Sequence, residues 1–226
     1  MSDRREPITR RQVLVGAGAM TAALGTVSLS ACKAKTTGKW DFEADIVVVG
    51  SGVGACTAAI VSHDNGDSVL VIEKAAMAGG TSAKSAGVLW IPNNFTLQER
   101  GIADEKADCL KYMARFSFPE QYHGSDAKLG LSSAEFELLE AFYDNASAAT
   151  DHLRNSGALN LAEWRMFALD RPATDYLDQV PENKVPAGRP LGPLNEDGSI
   201  GLGVHMMEQL HGALQNRDVP VLKSAV

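Results

Sequence analysis

The sequence predicts an α/β fold: a parallel sheet with flanking helices, followed by a mixed, largely helical second segment. Three observations carry this. A β-branched run, Asp45 to Val49, leads straight into the turn Gly50-Ser51-Gly52-Val53-Gly54-Ala55. A short helical stretch and a second apolar run, Ser68 to Ile72, follow and close on Glu73. Between Asp104 and Ser156, apolar residues recur at helical rather than strand spacing. Composition narrows the choice further. A chain of 226 residues, 45% hydrophobic and 22% charged, is ordinary for a globular protein and excludes wholesale disorder. The net charge of −7 argues against a nucleic-acid binder, and three cysteines are too few for a disulfide scaffold.

Residues 1–32 read as an address rather than as fold. Arg4, Arg5, Arg10 and Arg11 face only Asp3 and Glu6, and Gln12 to Cys32 carries no charge at all. A basic start, an apolar run diluted by Gly, Ala and Thr, and a small-residue site describe an export signal. Arg10-Arg11, with Thr9 before and Val13-Leu14 after, resembles the twin-arginine signal that exports folded proteins. Leu29-Ser30-Ala31-Cys32 resembles a bacterial lipobox, in which the cysteine is lipidated and becomes the mature N-terminus. The run is long enough to span a bilayer, but its glycines and alanines make it a weak anchor. Residues 33–40 then form a polar tether. The expectation is an exported, periplasmic or cell-envelope protein that meets the folded-protein export machinery and is held to the membrane by lipid if Cys32 is processed. Its body is more acidic than −7 suggests, because the removed end is basic.

Asp45 to Val49 reads as a buried parallel strand. The helix Ala55 to His63 follows, then the turn Asn65-Gly66-Asp67 and the second strand. This is a Rossmann-like βαβ unit with a dinucleotide fingerprint, Ala55 filling the third small position. Gly50 permits the tight turn, Gly52 lets the backbone approach a pyrophosphate, and Ala55 lets helix and strand pack closely. The helix N-terminus offers unpaired N–H groups and a partial positive charge to the phosphates. Glu73, at the tip of the second strand, is placed to accept ribose hydroxyls, and its charge disfavours a 2′-phosphate. Cys56 reads as a small buried residue of the helix.

Beyond Glu73-Lys74 come Gly79-Gly80-Thr81-Ser82, Ser85-Ala86-Gly87 and Leu89-Trp90-Ile91-Pro92-Asn93-Asn94. This string resembles the flavoprotein superfamily of succinate dehydrogenase, fumarate reductase and 3-ketosteroid dehydrogenase. The resemblance implies FAD. Residue by residue, it implies cofactor contacts from Gly50, Ser51, Gly52, Gly54, Ala55, Glu73, Lys74, Gly80, Thr81, Ser82, Ser85, Ala86 and Gly87, with backbone beside the adenine from Ala225-Val226. On this reading, residues 41–100 open the FAD-binding domain.

Residues 101–200 read as a helical and irregular substrate-side segment. A helix is expected over Asp104 to Phe116 and another over Ala134 to Ser156, the second opened by Ser132 and Glu135 in capping-box spacing. Their apolar stripes are assigned to core. Pro172, Pro181, Pro186, Pro190 and Pro193 suggest a long irregular connection. Residues 201–226, a helix over Met206 to Gln215 and a strand over Val219 to Leu222, return the chain to the FAD domain. Leu97-Gln98-Glu99-Arg100, Asp175-Tyr176 and Gly188-Arg189-Pro190 extend the similarity to the ketosteroid dehydrogenase branch. There the tyrosine faces the steroid and assists proton removal, which makes Tyr176 the catalytic candidate. Arg189 reads as a loop arginine in solvent. The five histidines show no ligand spacing, so no metal site is expected.

The resemblance thus implies an exported FAD-dependent oxidoreductase. It would move a hydride between flavin and a ketosteroid-like or fumarate-like small molecule. It further implies that this is the N-terminal part of such an enzyme, with the remaining catalytic groups beyond Val226. The alternatives are a non-catalytic flavin- or nucleotide-binding remnant and a surface lipoprotein.

Overall fold

The computed structural model describes residues 40–165 and 171–225. The export signal, Cys32, nearly all of the tether and Val226 lie outside them. From Phe42 onward the chain forms one compact unit, and the fold is that unit's.

β1 (Ile46–Val49), α1 (Val53–Asp64) and β2 (Val69–Ile72) form the expected βαβ unit. β1 and β2 pair in parallel, Ile46 opposite Val69 through Val49 opposite Ile72. The chain returns at the end as α6 (Gly203–Gln215) and β6 (Val221–Leu222), and β6 pairs in parallel with β2 to give the order β1-β2-β6. α1 and α6 bury Cys56, Ala59, Ile60, Met206, Met207, Leu210 and Leu214 against Val69 and Val71 of β2. Burying each large aliphatic side chain contributes roughly 1.5–3 kcal/mol, so this layer anchors the sheet. β1 departs from the expected buried strand. Its burial alternates: Ile46 and Val48 pack on the core, while Val47 and Val49 are exposed. The helices cover one face of the sheet, and β1 is its edge.

Between the two visits to the sheet lie α2 (Gly80–Lys84), β3 (Leu89–Trp90), α3 (Phe95–Glu99), α4 (Lys106–Ser117), α5 (Ser133–Asn155), β4 (Leu161–Glu163) and β5 (Pro190–Pro193). α5 carries the expected capping box: the Ser132 hydroxyl accepts the Glu135 amide, and the Glu135 carboxylate accepts the Ser132 amide. α4 and α5 share a second core of Cys109, Leu110, Met113, Leu131 and Leu139. The stretch rich in proline is not simply irregular, as expected, because it contains β5, the centre of an antiparallel sheet ordered β3-β5-β4. Proline removes a ladder donor, which is tolerable at strand ends. Pro190 and Pro193 are the two ends of β5, so its interior donors, Leu191 and Gly192, survive.

Candidate functional site

The glycine turn joins three segments. Gly50 leaves β1 with φ of +99°, and Gly52 caps α1 without a side chain of its own. The Ser82 hydroxyl, 3.1 Å from the Val53 amide, supplies the missing acceptor. The next first-turn amides, Gly54 and Ala55, have no intrahelical acceptor by helix geometry, and they belong to an exposed and a half-buried residue. A Cβ on Gly52 would come within 3.2 Å of the Ser82 hydroxyl, a tight approach that would push the serine side chain aside.

Ser51 is buried, and its hydroxyl works inward. It accepts the Gly79 amide at 2.9 Å and donates to a Glu73 carboxylate oxygen at 2.5 Å. The other Glu73 oxygen accepts the Ala75 amide at 2.7 Å. The Ser51 hydroxyl first, and the Ala75 amide next, hold the Glu73 carboxyl below its ordinary range. A carboxylate offers about four acceptor sites, and the Ser51 and Lys74 amides act on it more weakly beside these two partners. The Ser51 carbonyl is gripped from α1 and α6 by Cys56 Sγ at 3.4 Å and His211 Nε2 at 3.2 Å. Burial pushes the Cys56 thiol up to about 12, which keeps it a thiol and matches its reading as a small buried residue. Ala225 donates its amide to the Glu73 carbonyl, which brings the end of the returning strand beside the same residue.

The second glycine-rich string runs past this turn. Lys74, Gly80, Thr81, Ser85 and Ala86 are exposed, and Ser82 is half-buried. The Ser85 hydroxyl donates to the Ser82 carbonyl and accepts the Gly87 amide. Here the structure adds a residue that the sequence reading missed. α6 starts at Gly203 rather than Met206, and Gly203 crosses the string so closely that a Cβ would lie 2.1 Å from the Ser82 carbonyl. Gly87 meets the same crossing, a Cβ there falling 2.6 Å from the Gly203 amide. A lone glycine before a helix carried no signal for this contact.

Tyr176 is largely exposed at the edge of an apolar cavity of about 390 Å³, walled by Trp90, Tyr112, Phe116, Leu139 and Phe142. Its ring stacks on Phe116 at 6.0 Å, and Trp90 stacks on Phe142 at 6.1 Å. The stripe residues Phe116 and Phe142, assigned to core by their spacing, are exposed and line this cavity instead. Arg189 also needs correction. It is fully buried rather than in solvent, and it pairs with Asp104 and Asp175, which are themselves buried.

The fold and the turn define a dinucleotide-binding module with an acidic residue, Glu73, at the tip of its second strand. The chain matches the FAD binding domain family over residues 45–212 and belongs to it. Its cofactor is FAD, and the observed turn suits it: helix N-terminal amides without intrahelical acceptors, an ionised Glu73 at the strand tip, and a glycine string beside them. The chain is 34% identical to the 3-oxosteroid 1-dehydrogenase of Comamonas testosteroni over 153 residues, 68% of this chain and 23% of that protein. It is 34% identical to the NADH:fumarate oxidoreductase of Klebsiella pneumoniae (strain 342) over 116 residues, 51% of this chain and 11% of that protein. Among solved structures it resembles the 3-ketosteroid delta1-dehydrogenase from Sterolibacterium denitrificans in complex with 1,4-androstadiene-3,17-dione. The TM-score is 0.61 at 25% identity, covering 80% of this chain and 40% of that one. The chain thus spans less than a quarter of the first of these curated relatives.

Proposed function

We propose that this chain belongs to an exported FAD-dependent oxidoreductase acting on a flat, uncharged ring ketone of the ketosteroid class. The observation that carries the substrate class is the aromatic cavity at Tyr176, walled by Trp90, Phe116 and Phe142. It suits apolar rings, which bind aromatic walls through area and stacking. A dicarboxylate needs a cation with free donors, and Arg189 spends its donors on Asp104, Asp175 and Asn183. When bound, FAD supplies the hydride acceptor or donor. The chain's part is to hold the pyrophosphate at the α1 N-terminus, to hold the ribose at Glu73, and to present the Tyr176 hydroxyl for the proton on the substrate carbon.

The test is the visible flavin spectrum of the FAD-loaded protein. A 3-ketosteroid added without oxygen should bleach it, and Tyr176→Phe should slow the bleaching about 100-fold, the usual scale for a positioned acid or base. A flavin that dithionite reduces but the ketosteroid does not would leave a binding remnant rather than a catalyst. Reoxidation of the reduced flavin by fumarate alone would move the substrate class to dicarboxylates.

Export rests on Arg10-Arg11 and the uncharged run behind them, and lipid anchoring on Cys32. A flavoprotein loaded with cytoplasmic FAD fits a route that carries folded cargo. Replacing Arg10 and Arg11 by Lys should leave the protein in the cytoplasm, and Cys32→Ser should release it from the membrane fraction. Normal envelope accumulation of the Lys variant would remove the twin-arginine route.

A further inference from the structure

Arg189 sits in a charged cluster where an apolar core would serve stability as well. Its Nε and Nη2 donate to the two Asp104 oxygens at 2.8 and 2.7 Å, and its Nη1 donates to Asp175 at 2.5 Å and to Asn183 at 2.9 Å. Two carboxyl groups flank one guanidinium, and all three are buried. Desolvating each ion costs several kcal/mol, and such clusters seldom add net stability over apolar packing of equal volume. What they supply is direction.

The direction here is toward the aromatic cavity. The Arg189 guanidinium lies 5.2 Å from the ring centres of both Trp90 and Tyr112. Asp175 accepts the Trp90 indole N–H at 2.8 Å. The Tyr112 hydroxyl donates to the Tyr176 carbonyl at 2.5 Å. Leu177, the next residue, has φ of +52°, a left-handed conformation that a leucine adopts only where its surroundings impose it. Trp90 is thus bonded to the arginine's partner carboxylate, Tyr112 lies against the guanidinium, and Tyr176 follows Asp175 in the chain and gives its carbonyl to Tyr112.

We propose that Arg189, acting through Asp175, is a positioning residue: it fixes Trp90 and Tyr176 as walls of the cavity and so sets its fit to a flat ring ligand. The proposal rests on the reading of the cavity as the substrate site. Arg189→Lys keeps the charge and loses the planar fork that spans two carboxylates.

The experiment uses the full chain loaded with FAD, with 4-androstene-3,17-dione as the probe. Binding is read by tryptophan emission, and the Trp90 contribution is taken as the difference from Trp90→Phe. Arg189→Lys should raise the probe Kd about tenfold and shift the Trp90 emission at unchanged flavin content. A folded, FAD-loaded Arg189→Lys with parental Kd and emission would overturn the proposal. If that variant loses its flavin and its circular dichroism, Asp175→Asn decides. It retains an acceptor for Trp90 but loses the charge that Arg189 grips, and the same two changes are expected. Parental values there overturn the proposal, and so does collapse of both variants, because the cluster would then serve folding as a whole. A parent that does not bind the probe removes the substrate reading, while the Trp90 emission of the variants still decides positioning.

Discussion

At the scale of single residues, Glu73 shows how one carboxylate ties a glycine turn to the tip of a strand. Its oxygens accept the Ser51 hydroxyl and the Ala75 amide, and both interactions favour the charged form. The folded pKa therefore lies below the unfolded one. Whatever Glu73 contributes is present in full above the unfolded value, about 4.3, and is lost as pH falls through the lower folded value. At neutral pH it is ionised. Glu73→Ala should weaken FAD binding, read as a lower flavin-to-protein ratio and by titration of the stripped protein. Equal flavin content in variant and parent would take Glu73 out of the site. Glu73 and the Gly50–Ala55 turn are legible in sequence because strand, turn and helix are contiguous. The Arg189 cluster is not, because Asp104 lies 85 residues and Asp175 14 residues from Arg189. Only the fold brings them together, so a solvent position was the natural local reading.

At the scale of elements, local signals sufficed where the stabilising contacts are local. Ser132 and Glu135 mark the start of α5, and the structure shows both reciprocal bonds. Ser132→Ala should cost about 1 kcal/mol, within the usual range of 0.5–2 for a lost N-cap. A lower urea midpoint with unchanged flavin content would show it, and an unchanged midpoint would mean that water replaces the cap fully. The apolar stripes of α4 and α5 were also legible, but periodicity identifies a face and not what covers it. Leu139 is buried while Phe116 and Phe142 stand open at the cavity that Trp90 also lines. β5 escaped because prolines usually mark loops, and its strand character depends on β3 and β4, pairing partners far away in the chain. The start of α6 escaped for the same reason, since Gly203 is explained by its crossing with Ser82 and Gly87.

At the scale of the whole molecule, the candidate cofactor cradle is a property of the folded chain alone. The turn at 50–55, the strand tip at 73, the string at 79–87 and the helix start at 203 meet only when β6 and α6 close onto the βαβ unit. An unfolded chain has no such site, so FAD must stabilise the fold by mass action. At a free concentration of one hundred times Kd, that stabilisation is about 2.7 kcal/mol. For a domain of this size, each kcal/mol moves the melting midpoint by roughly 2–4 °C. Saturating FAD should thus raise the midpoint of the stripped protein by about 5–11 °C, and raise that of Glu73→Ala by less at the same concentration. The two melts separate the remaining alternatives. A parent that shifts more than Glu73→Ala places the cofactor at this cradle. Equal shifts place FAD elsewhere on the chain, and no shift in either leaves the Rossmann-like half as scaffold, the condition a non-catalytic surface lipoprotein would meet.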